Sequence, residues 1–88
     1  MKEYKEKILN KAESIREFDS DNTVEYEWHR DAEDRIVTVI SAGENWYYQE
    51  DNCLPVLLSE GSVINIKKMV FHRLIKGNDK LIVKVFKQ

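Results

Sequence analysis

From residue 14 onward the chain alternates between short apolar runs and tight polar turns, and this punctuation limits what it can become. Asp19-Ser20-Asp21-Asn22, Ala42-Gly43-Glu44-Asn45, Glu50-Asp51-Asn52, Ser59-Glu60-Gly61-Ser62, Lys67-Lys68 and Lys76-Gly77-Asn78-Asp79 are all turn-forming clusters. Asp and Asn bond their own backbone there, and Gly reaches the left-handed conformations. Between them lie runs of four to eight residues, too short for helices: Ser14–Phe18, Thr23–His29, Asp34–Ser41, Trp46–Gln49, Cys53–Leu58, Val63–Ile66, Val70–Ile75 and Lys80–Phe86. About eight strands at spacings of about 8 to 12 residues predict an antiparallel sandwich or barrel. The segment before them differs. Tyr4, Ile8, Ala12 and Ile15 recur every three or four residues, so residues 1–13 read as an amphipathic helix packing on the domain formed by residues 14–88.

Length and charge exclude several functions. At 88 residues the chain has room for one domain, and so small a core gains from a partner subunit. The net charge of −2, with both signs interspersed, gives no basic field for nucleic acid. No apolar run is long enough to cross a membrane and the N-terminus is charged throughout, so a cytoplasmic protein is expected. Cys53 is the single cysteine, which rules out an intrachain disulfide and reads as a small half-buried side chain. The glycine-rich phosphate loop, the GxSxG elbow and the CxxC pair are missing.

The remaining chemistry rests on oxygen and nitrogen side chains around the two histidines, His29 and His72, each near a strand end beside a polar turn. Glu27 and His29 share one face of a strand, and Asp34 opens the next strand after a short turn, so these side chains can converge. His72 must arrive from a distant strand, in the stretch Glu60–Ile75. Alternation alone gives another arrangement: Val24, Tyr26 and Trp28 face the core, and Glu25, Glu27 and His29 face water.

The spacing of these residues resembles the two signature stretches of the cupin superfamily. Gly61 and His72 stand at the separation of the second motif, with Lys67, Met69 and Lys76 in place of its Pro, Gly and Asn. In the first motif Asp21, Glu27, His29, Asp34 and Ser41 fall on the marked positions, and His29 alone is the family's own residue. The resemblance spans about Thr23 to Phe86. It implies an eight-stranded jelly roll with a divalent transition metal (Fe, Mn, Ni, Co or Zn) held by Glu27, His29, Asp34 and His72. A small molecule would occupy the barrel, with Glu25, Thr38 and Trp46 as candidate contacts. In that arrangement Tyr26 and Trp28 turn outward and need a covering helix or a second subunit, so a homodimer is expected. A register that places His29 and Asp31 on the two histidine positions is less favoured, because Asp31 falls in the turn and no later Glu stands at the right distance. The implied activity is a metal-dependent isomerase, epimerase, lyase or dioxygenase acting on a sugar or small oxoacid. The alternative is a non-catalytic ligand-binding or dimerising module without metal.

Overall fold

The computed structural model describes residues 4–20 and 26–88. Eight strands follow one another: β1 (Lys5–Ile8), β2 (Glu13–Asp19), β3 (Arg35–Ala42), β4 (Tyr47–Glu50), β5 (Val56–Leu57), β6 (Val63–Ile66), β7 (His72–Ile75) and β8 (Lys80–Lys87). They form a five-stranded sheet in the order β1-β2-β8-β3-β6 and a three-stranded sheet in the order β5-β4-β7. Every pairing is antiparallel.

Strict alternation in β8 builds the inner layer. Leu81, Val83 and Val85 are buried, whereas Lys84 lies on the outer parity and its Nζ meets Glu13 Oε2 at 2.7 Å. The register carries this parity across the sheet, aligning Val83 with Arg16 and Val39, and Val85 with Ser14 and Val37. Arg16 and Arg35 therefore share the inward side of their strands with apolar neighbours. A bulge at Ile40 interrupts the β3–β8 ladder between Val39 and Ser41. Trp46, fully buried, closes the far end and donates its indole N–H to the Asn78 carbonyl at 3.1 Å. Gly43 and Gly77 let two loops meet backbone to backbone there: Asn78 N–H donates to Glu44 O at 2.7 Å and Gly43 N–H to Lys80 O at 2.9 Å.

Three expectations are corrected. The described part of the expected N-terminal helix is an edge strand followed by a turn, with β1 paired to β2 from Lys5 opposite Glu17 to Ile8 opposite Ser14. An isolated helix of a dozen residues is marginal in water, and here the ladder gives the backbone better partners. Asn10 Oδ1 caps the turn by accepting from Ala12 N and Glu13 N, both at 2.9 Å, and Glu6 Oε2 accepts from Arg16 Nε at 2.9 Å. The second correction concerns Thr23–His29. Residues 21–25 lie outside the described residues, and of the rest only His29 enters a ladder, as a single bridge to His72. Tyr26 faces the core, as alternation has it and not outward as the cupin register implies, edge-on to Phe18 at 5.5 Å between centroids. Trp28 is 41% exposed and lies beneath the Arg73 guanidinium at 4.7 Å. Cys53 is exposed, contrary to its half-buried expectation.

Candidate metal centre

His72 opens β7, where its ring is buried. His29 is held against it by two backbone hydrogen bonds, His29 N–H to His72 O at 3.0 Å and His72 N–H to His29 O at 2.9 Å. This single bridge brings the rings to 4.3 Å between centroids at 67°. Each Nδ1 faces a backbone carbonyl, Glu27 O at 3.1 Å for His29 and Val70 O at 2.9 Å for His72. A carbonyl only accepts, so Nδ1 carries the proton in both rings and each Nε2 presents its lone pair when the ring is neutral.

Asp31 completes the group. Its Oδ2 lies 3.4 Å from His72 Nε2, and the ligand atoms of His29, Asp31 and His72 are all within 4.8 Å of one another. Burial is the main cause that lowers the His72 pKa below its usual 6.5, with the His29 and Arg35 charges adding and the Val70 carbonyl and Asp31 opposing. A neutral His72 therefore turns a lone pair toward a carboxylate oxygen. That oxygen is buried and has no hydrogen-bond partner among the described residues. Two acceptors facing each other with no proton between them are the arrangement a cation relieves. The donor set, two neutral imidazoles fixed by backbone carbonyls and one carboxylate, fits a divalent transition metal.

Asp31 is in reach because the turn that carries it docks on the β6–β7 turn. Met69, at a left-handed φ of 64°, donates its N–H to Asp31 O at 2.8 Å. Lys68 donates its N–H to Asp34 Oδ1 at 2.7 Å. The Asp34 carboxylate thus fastens the turn and stands outside the ligand group, although the cupin resemblance implies it as a ligand. Glu27 is exposed and contributes its backbone carbonyl, not its carboxylate. Of the four expected ligands, the structure brings His29 and His72 together, and Asp31 joins them. Thr38 lies on the outer parity of β3, opposite Lys84, and Trp46 is a core side chain, so neither reaches the cavity. Glu25 lies outside the described residues.

The group sits where two spaces meet. Behind it is a cavity of about 70 Å³ with mostly aliphatic walls, and in front is a wider mouth of about 310 Å³ bordered by Tyr4, Glu27 and Trp28. Arg16, His29, Asp31 and Arg35 border both. Arg35 Nη1 lies 3.4 Å from Asp31 Oδ1 and its Nη2 lies 2.9 Å from Glu33 Oε1. Arg16 packs over the Tyr4 ring at 4.6 Å while bonded to Glu6. Tyr48 lines the inner cavity 5.7 Å from the His72 ring, and burial, then Glu50 and Asp31, push its phenol pKa up. Sequence reasoning missed both arginines as site residues, although their strand parity with Phe18 and with Val37 and Val39 was legible.

No protein-family model and no curated protein matches the chain. Solved structures do. A DMSP lyase superposes with a TM-score of 0.73 at 14% identity, over 86% of this chain and 37% of that one. A cupin-like protein of Thermotoga maritima gives 0.71 at 18% identity, over 97% of this chain and 67% of that one. The chain has a cupin-like fold. A third match, FeII HppE in complex with substrate, gives 0.69 at 13% identity over 97% of this chain. This chain spans 37% of the lyase and 52% of HppE, so the likeness is to part of each.

Proposed function

We propose that this cupin binds one divalent transition metal (Fe, Mn, Ni, Co or Zn) through His29 Nε2, His72 Nε2 and Asp31, and acts on a small oxoacid or sugar. The observation that carries the reading is the buried Asp31 Oδ2, without a hydrogen-bond partner among the described residues, facing the His72 lone pair at 3.4 Å. Two histidines and one carboxylate leave coordination positions for a substrate. Such an ion supplies Lewis-acid polarisation of a carbonyl or hydroxyl oxygen. The Glu27 and Val70 carbonyls hold the imidazoles in the ligating tautomer, and the mostly aliphatic walls make the inner side apolar. The likeness to FeII HppE supports metal dependence and that to a DMSP lyase supports a lyase, one of the isomerase, epimerase, lyase and dioxygenase kinds the sequence resemblance implies.

One observation favours a second reading, a metal-free binding module: the Arg35 guanidinium at 3.4 Å from Asp31 already offsets the carboxylate charge. Elemental analysis of protein purified without chelator separates the two. The enzyme reading expects about one metal per chain, lost in His72→Ala and Asp31→Asn; less than about a tenth of a metal, unrestored by adding Fe, Mn, Ni, Co or Zn, would sink it.

We also propose pairing with a second copy. The edge strand β6 (Val63-Ile64-Asn65-Ile66) has no charged residue, unlike β1, and Val63 is 60% exposed. An uncharged edge of this kind accepts another strand. Light scattering should return twice the 10.4 kDa chain mass, and Asn65→Lys should return it to one.

A further inference from the structure

We infer that the inner cavity takes the short apolar tail of a small carboxylic acid, with its carboxylate at the rim beside Arg35 and Arg16. The inference deepens the metal reading by naming the substrate class. It draws on groups that reading leaves aside.

Of the oxoacid and the sugar, the walls of the inner cavity favour the oxoacid. Val37, Ile64, Leu74, Val83 and Val85 line the space behind the histidines, and Tyr48 Oη adds a hydroxyl with no partner among the described residues. A polyol would leave several hydroxyls unbonded against these walls. The size is also selective. An apolar cavity of about 150 Å³ holds a benzene, so about 70 Å³ accommodates about three carbons. The rim changes character abruptly, because Arg16 and Arg35 border both the cavity and the open mouth with side chains only 13% and 14% exposed. A guanidinium fork matches a carboxylate in geometry and charge. Contacts with Glu6 on one side and with Asp31 and Glu33 on the other orient the two forks and offset their charge. A divalent ion on His29, Asp31 and His72 would tip the rim positive, so the metal-loaded protein should hold the anion more tightly.

The test is a calorimetric series of straight-chain carboxylates from acetate to octanoate, with butan-1-ol as the uncharged probe, on chelator-treated and on zinc-loaded protein. Affinity should rise about fourfold per methylene up to butyrate and then fall. Ile64→Phe should weaken butyrate roughly tenfold and leave acetate within about twofold, and Arg35→Gln should remove the preference for butyrate over butan-1-ol. Butyrate that binds neither form, or affinity that climbs without a break to octanoate, overturns the inference. Metal content measured in the same samples keeps the two readings apart. Protein that takes butyrate but no metal retains this one and loses the metal centre, and loaded protein that ignores butyrate does the reverse.

Discussion

Replacing Tyr48 by phenylalanine should make the metal-free protein more stable. The side chain is 6% exposed and its hydroxyl has no hydrogen-bond partner among the described residues. The hydroxyl keeps its proton because burial, with the Glu50 and Asp31 charges adding, raises its pKa. A buried polar group left unsatisfied costs about 1 to 3 kcal/mol. The adjoining cavity of about 70 Å³ has room for water that would recover part of this, so the low end, about 1 kcal/mol, is the expected gain. Phenylalanine keeps the ring against His72. For 88 residues the unfolding entropy is about 185 cal/mol/K, and 1 kcal/mol becomes a rise of about 5 °C in Tm. Thermal unfolding followed by circular dichroism in EDTA measures it, with urea midpoints at unchanged m as the second readout. A Tm lowered by several degrees would mean that the hydroxyl has a firm partner in solution, refuting the account of this wall.

Three further outcomes follow from the same geometry. Asp31→Asn should weaken metal binding more than about 100-fold in competition with a chromophoric chelator, whereas Asp34→Ala should leave affinity within about threefold and cost about 1 kcal/mol of stability, because the Lys68 N–H loses its acceptor. His72 has a folded pKa below 6.5, so the unfolded chain takes the proton first as pH falls. Metal-free stability should hold above pH 6.5 and decline below it until the folded pKa is reached, as urea midpoints between pH 5 and 8 would show. Gly77→Ala should lower Tm more than Gly61→Ala. Its Cβ would come within 2.6 Å of the Trp46 backbone nitrogen, while Gly61, at φ +87°, has open space and only the conformational penalty, about 1 kcal/mol.

Strands bounded by turn clusters were legible: β6 ends where the sequence placed it, and β8 differs by one residue. The N-terminal segment was ambiguous for a geometric reason. A spacing of four puts Tyr4 and Ile8 on one face of a helix and also on one face of a strand, and pairing with β2 settled the matter. The ligand register failed similarly. Glu27 and Asp31 flank His29 at two residues on either side, so strand parity treats them alike. The choice was made by Lys68 and Met69, whose amides anchor the turn from more than thirty residues away. Contacts of that range leave no periodic trace. Arg35 was obscured by the expected role of its neighbour Asp34.

The last of the eight described strands in chain order, β8, lies between β2 and β3 in the middle of the larger sheet. Until Lys80–Lys87 are available, β2 and β3 each lack the neighbour that separates them, and the inner layer cannot close. Folding thus waits for the most distant pairings in the chain, which are slow to form. The unpaired strands are open to other chains meanwhile. A chain cut short before β8 should therefore self-associate, which light scattering would detect as species larger than one chain.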